Sequence, residues 1–188
     1  MLRTSRSSAL SARTATINQI KGMPVTAPEQ LRTRYRGLSN TKLIATLAMT
    51  RPTATPVTAD EATAYSLRLL AKRWQALTEQ IEELRGHLQR LLEDHAPALM
   101  EVFGVGRDTA AQLLITAGDN PERLLSEAAF AAPAGACPIA ASSGKTNRHR
   151  LNRAGDRQAN SARYHIVIVR LRYDQETRDY AARRTAEG

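Results

Sequence analysis

The sequence predicts a mainly α protein: one long coiled-coil helix followed by a compact helical domain with a helix-hairpin-helix-like element. Three observations predict it. Ala, Leu and Arg are abundant, while Phe, Trp and Tyr together make up only 4% of 188 residues, a helical composition with few aromatics for a core. An apolar seam repeats at helical spacing without a miss through the middle of the chain. Downstream of it, Gly and Pro punctuate short segments that read as helices rather than alternating strands.

Residues 1–58 read as a basic amino-terminal arm with short helices. Residues 1–16 show no periodicity and are expected to be loose. Residues 17–50 suggest short helices broken at Pro24 and Pro28, one of them starting at Ala27-Pro28-Glu29 with Leu31, Tyr35 and Leu38 on a common face. Pro52 and Pro56 make residues 51–58 a linker, because each removes a backbone donor and blocks helix. Residues 59–96 are the coiled-coil helix. Leu67, Leu70, Trp74, Leu77, Ile81, Leu84, Leu88 and Leu91 are spaced 3, 4, 3, 4, 3, 4, 3, the a/d pattern of a heptad seam. The strict period favours a coiled coil, between two chains or with a neighbouring helix, over one amphipathic helix packed on its own domain. Asp60 and Glu61 suit the positive end of its dipole, and Pro97 ends it.

Residues 97–188 form the third segment. Phe103-Gly104-Val105-Gly106-Arg107-Asp108-Thr109-Ala110, continuing to Leu113-Leu114, reads as a helix-hairpin-helix. The two glycines suit a turn with positive φ and let a phosphate approach the N–H groups that open the next helix. Gly104, Gly106, Arg107 and Thr109 are therefore candidate nucleic-acid-binding residues. Pro121 opens a helix over 122–132 with Leu124, Leu125 and Phe130 inward, broken by Pro133 and Gly135. Residues 156–173 contain a β-branched run, but the surrounding pattern favours helix.

Charge narrows the function. The net charge is +9; residues 1–59 carry +8, residues 60–100 carry −2, residues 101–144 carry −3 and residues 145–188 carry +6. Basic ends around a mildly acidic middle suit a polyanion. Cys137 is the only cysteine, which excludes an internal disulfide and a cysteine-clustered zinc site. The four histidines lack metal-ligand spacing. No apolar run approaches the roughly 20 residues that cross a membrane, and a cytoplasmic location fits.

The densest chemistry lies between Pro138 and Asn160. Ser142-Ser143 sits before Gly144, followed by Lys145, Arg148, Arg150, Arg153 and Arg157, with no acid until Asp156. A hydroxyl beside clustered cations suits chemistry or binding on a nucleic-acid backbone. On the residues alone, a serine pair is more often a cap or turn.

Three blocks together resemble the carboxy-terminal half of insertion-sequence transposases of the IS-one-ten, IS-one-sixteen and IS-nine-oh-two type. They are Gly104-Val105-Gly106 with Thr109-Ala110 and Gly118-Asp119; Gly135-x-x-Pro138 with Ser143-Gly144; and Arg150 to Asn160, holding Gly155-Asp156-Arg157-Gln158-Ala159-Asn160. The resemblance implies a DNA-binding recombinase of a mobile element, acting in DNA transposition through an essential serine, which falls by position on Ser143. It also implies an oligomer joined through the coiled coil, a guide-type structured RNA as possible partner, and an upstream RuvC-like nuclease domain whose Asp-Glu-Asp-Asp set holds magnesium. Only Glu29 precedes Asp60, so that metal set is not expected in this chain. The expectation is a transposase fragment associated with the nucleoid, with no cofactor of its own. The alternative is a non-catalytic nucleic-acid-binding module or a decayed remnant. Pro133, where relatives carry leucine, is expected to damage a helix, and Arg163, in place of an apolar residue, to press charge on the core.

Overall fold

A computed structural model describes residues 1–26, 33, 35–119 and 121–187. Its described residues form eight α-helices, one 3-10 turn and one two-stranded hairpin, so the protein is mainly α. It divides into two compact units, Met1–His87 and Leu88–Gly188.

The first unit holds α1 (Leu2–Thr26), α2 (Asn40–Met49) and most of α3 (Ala59–His95). Its core gathers Ile20 of α1, Leu43, Ile44 and Leu47 of α2, and Leu67 and Ala71 of α3. Tyr35 and Leu38 pack against that cluster, as do Leu70 and Trp74. The first turns of the heptad seam are thus used within the chain. Two expectations are corrected. Residues 1–16 are helical, and the helix continues past Pro24 to Thr26. Among its described side chains the buried ones are Ala9, Thr16 and Ile20, a stripe of mostly small side chains that carries little hydrophobic signal. Arg13 takes another position on α1 and lies over the Trp74 ring at 5.5 Å, a cation–π contact that lets a charge sit beside the core. The expected helix start at Ala27-Pro28-Glu29, and Leu31 with it, lie outside the described residues.

Helix α3 starts with a capping box. Thr58 Oγ1 accepts from Glu61 N at 3.2 Å, and the Glu61 carboxylate accepts from Val57 N at 2.9 Å and Thr58 N at 3.2 Å. These backbone donors, Val57 first, hold the Glu61 carboxyl below its usual range.

The second unit contains α4 (Pro97–Glu101), α5 (Arg107–Ala117), a 3-10 turn (Pro121–Leu124), α6 (Glu127–Ala131), the hairpin strands β1 (Ile139–Ala140) and β2 (His149–Arg150), α7 (Arg157–Tyr173) and α8 (Gln175–Glu187). Helix α5 packs along α7. Their buried residues are Ala110, Ala111, Gln112, Ala159 and Ala162, and four of these five are alanines, which permit a close approach. The single helix expected over 122–132 is two elements. Ser126 interrupts it, accepting from Ala129 N to cap α6, and Leu125 is 86% exposed rather than inward.

Pro133 does not sit in the middle of a helix. Beyond α6 the chain closes in a Schellman motif: Ala136 N donates to Ala131 O at 2.9 Å and Gly135 N to Ala132 O at 3.0 Å, with Gly135 at φ 68°. That geometry favours glycine at the left-handed position. Pro133 falls in the final turn, where its missing N–H removes one helical bond near an end already terminating. Arg163 is half-buried, and its Nη1 is buried without a hydrogen-bond partner among the described residues, a real cost for a polar atom.

Candidate nucleic-acid interface and serine hairpin

The serine pair lies on a β-hairpin, an element that the helical pattern of the sequence conceals. Ile139 pairs with Arg150 and Ala140 with His149. Ala141 N donates to Arg148 O at 2.8 Å. Ser143 and Thr146 form the last bridge, exchanging backbone bonds of 3.2 and 3.1 Å. Gly144-Lys145 is the two-residue connection, with Gly144 at φ 56°. A glycine of positive φ at the first central position is the pattern of a type II′ turn, whose twist suits a hairpin.

Register sorts the side chains. Directly paired residues share a face, and faces alternate along a strand. Ser143 and Thr146 therefore share one face with Ala141, Arg148, Ile139 and Arg150. Ser142, Asn147, Ala140 and His149 take the other. Every residue from Ala141 to Arg150 is exposed. Ser142 Oγ is engaged, donating to Asn147 Oδ1 at 3.3 Å and accepting from Arg148 N at 3.4 Å. Ser143 Oγ has no hydrogen-bond partner among the described residues. The two serines thus differ: one stabilises the turn, and the other projects a free hydroxyl on the arginine face.

Below the hairpin, the chain segments entering and leaving it cross. A Cβ built on Gly155 would lie 2.2 Å from both Cα and N of Gly135, a distance no side chain can occupy. Polar groups fasten the crossing. Asp156 N donates to Pro133 O at 2.7 Å. Asn160 Nδ2 donates to Ala134 O at 3.3 Å, and Asn152 Nδ2 to Ala132 O at 3.4 Å. Asn152 Oδ1 also accepts from Ala154 N at 3.0 Å.

Asp156 joins this crossing to the helix pair. Its carboxylate caps α7 by accepting from Gln158 N at 2.8 Å. It also accepts from Gln112 Nε2 and Thr116 Oγ1 of α5, both at 2.7 Å. The Thr116 hydroxyl foremost, with the backbone donors of Gln158 and Ala159 and the Gln112 amide, holds the carboxyl below its ordinary value despite partial desolvation. Gln112 is only 3% exposed, so Asp156 satisfies a buried amide. Sequence reading missed Gln112 and Thr116, since nothing local marks a partner 44 and 40 residues away.

The glycine turn between α4 and α5 divides in role. Gly104 has φ 85°, and a Cβ there would meet Arg170 Cγ at 3.1 Å and Ile166 O at 3.3 Å. It lets the turn press onto α7. Gly106, expected to share the positive φ, has φ −87° and is the N-cap of α5. Thr109 Oγ1 donates back to Gly106 O at 2.6 Å, and no side chain caps the α5 N-terminus. Arg107 is the first residue of that helix. The predicted nucleic-acid-binding residues thus fall in three places: Gly104, Gly106, Arg107 and Thr109 at the α5 turn; Lys145, Arg148 and Arg150 on the hairpin; Arg153 and Arg157 beside the crossing.

Among the described residues, no group of three or more His, Cys, Asp or Glu is placed to hold a metal ion. No helix among them is long and apolar enough to cross a membrane.

Fold and site together define a class: a small helical domain that presents a free serine on a cationic hairpin, set on a glycine crossing. Residues 96–182 match the model of the Transposase IS116/IS110/IS902 family. A protein of Streptomyces coelicolor described as "Insertion element IS110 uncharacterized 43.6 kDa protein" is 34% identical over 122 residues, which is 63% of this chain and 30% of that protein. Over residues 96–182 the chain is thus similar to transposases of this family, and it spans less than a third of the length of that relative.

Proposed function

We propose that this region binds DNA in transposition and that Ser143 is its nucleophile. The observation that carries this reading is the hairpin register, which puts the free Ser143 hydroxyl on the same face as Arg148 and Arg150. In the reaction, Ser143 Oγ forms a bond to a backbone phosphorus. The bond from that phosphorus to one strand oxygen breaks, and the leaving oxygen takes up a proton. The product phosphoserine ester keeps the energy of the broken bond for strand joining. The arginines stabilise charge on the phosphoryl oxygens. The hydroxyl proton of Ser143 passes to a base supplied by the recombinase assembly. The open α5 N-terminus, with Arg107, offers a further backbone contact. Assembly of several copies through α3, and a structured RNA as additional partner, belong to the same reading.

The test uses duplex DNA over a salt series, with wild type and Ser143→Ala side by side. Both proteins should bind, and log K should fall steeply with log salt. A covalent protein–DNA adduct should form with wild type only, once the remaining domains of a relative are supplied. Binding that ignores salt would sink the backbone contact. An adduct that survives Ser143→Ala would remove the serine from its role.

A further inference from the structure

A cleft of about 340 Å³ opens beside the glycine crossing, lined by Gly135, Leu151, Asn152, Arg153, Gly155, Arg157 and Asn160. We infer that it is a seat for one nucleic-acid backbone phosphate, separate from the phosphate that meets Ser143. This inference rests on the DNA-binding reading above and adds a second contact point to it.

The chemistry of the lining is one-sided. Arg153 and Arg157 are its charged members, and both are exposed. Asp156 stands between them in sequence and is the only acid from Lys145 to Arg157. Its carboxylate keeps its charge but accepts from Gln112, Thr116 and the α7 N-terminus rather than from either guanidinium. Asn152 and Asn160 direct their amide N–H groups at the carbonyls of Ala132, Ala134 and Gly135. The Asn160 amide, which donates to two carbonyls, and one of the two N–H groups of Asn152 thus hold the walls, and the charged contacts with a ligand fall to the guanidinium groups. Guanidinium forks match phosphate oxygens in pairs.

The walls are also fixed in advance. The backbone contact of Gly135 with Gly155, the Schellman closure and the Asp156 cap hold both sides of the cleft, so little ordering is needed on binding. Its position suggests why a second seat is useful. The cleft lies at the root of the hairpin and Ser143 at the tip. From the Ser143–Thr146 rung to the Ile139–Arg150 rung is four residues, about 14 Å at ~3.4 Å per residue. A phosphate in the cleft is therefore a different phosphate from the one at Ser143, and the two contacts together would fix the register of the strand on the hairpin.

The experiment has two readouts on the full chain. The first is the salt dependence of duplex DNA binding by wild type, Arg153→Gln/Arg157→Gln and Arg148→Gln/Arg150→Gln. Each pair should lower the slope of log K against log salt by about 1.8, two contacts at ~0.9 each, and all four substitutions together should lower it by the sum. The second is NMR of the arginine Nε–H groups in wild type, titrated with a dinucleotide carrying one backbone phosphate. Arg153 and Arg157 signals should shift saturably, and the same dinucleotide with a neutral methylphosphonate should leave them still. The NMR readout decides the matter if a variant fails to fold. If Arg153→Gln/Arg157→Gln keeps the wild-type slope, or the arginine signals ignore the charged dinucleotide, the cleft seat is overturned while the DNA-binding reading stands. If folded wild type binds no DNA, both fall together.

Discussion

The hairpin from Ile139 to Arg150 and the crossing beneath it use neighbouring residues in opposite ways. At the crossing, backbone touches backbone at Gly135 and Gly155, and Asp156, Asn152 and Asn160 each spend side-chain groups on other parts of the unit. On the hairpin, every residue from Ala141 to Arg150 is exposed, and Lys145, Arg148 and Arg150 make no ion pair among the described residues. The contrast teaches that resemblance to a family can rest on two kinds of residue. Gly135, Gly155, Asp156 and Asn160 are explained by packing and hydrogen bonding alone. Ser143 and the hairpin arginines have no such explanation among the described residues, and the proposed contact with DNA would account for them.

The largest effect expected of breaking the crossing is from Gly155→Val. The side chain has no space and no means of relaxing except by parting the two segments, so the second unit should lose about 3 kcal/mol or more. Thermal unfolding followed by circular dichroism would show it; an unchanged transition would mean the crossing is not close-packed. Next comes Asp156→Ala, which removes a helix cap, about 1 kcal/mol, and strands a buried amide, about 1–3 kcal/mol. Asp156→Asn should cost less, since it keeps a cap.

The same carboxylate gives a pH signature. Its folded value lies below its ordinary 3.8. The stability it contributes is therefore complete above the unfolded value and lost as pH falls through the folded one. Urea midpoints measured from pH 6 downward should decline below about pH 4, and Asp156→Asn should flatten part of that decline. Asp174 adds to the acid limb, because the Thr177 hydroxyl, and after it Arg170, hold its carboxyl down as well. A decline identical in Asp156→Asn and wild type would contradict the assignment.

Smaller effects are expected on the hairpin. Arg148→Gln and Arg150→Gln should change stability by no more than about 0.5 kcal/mol. Pro133→Leu should act within a similar range, since Pro133 occupies a closing turn rather than a helix interior.

How much of this was legible in the sequence follows from the range of each signal. The α3 seam was visible because Leu67, Leu70 and Trp74 repeat locally, and Gly135 was visible as a break. Helix α1 was hidden because Ala9 and Thr16 fill its buried stripe. The hairpin was hidden because its ladder is only two residues per strand, too short to show alternation. The serine loop and its cations could be found from composition. Their division into an arginine face and a cleft could not, because it depends on the register of β1 against β2. The Asp156 network joins residues 40 or more apart, beyond any local pattern.

The most direct measurement is amide hydrogen exchange of the full chain, with and without saturating duplex DNA. In the free protein, the amides of Gly135, Ala136 and Asp156 should exchange slowly and the exposed amides of the hairpin quickly. DNA should slow exchange from Ala141 to Arg150. A hairpin that exchanges at the same rate with DNA bound would contradict the account.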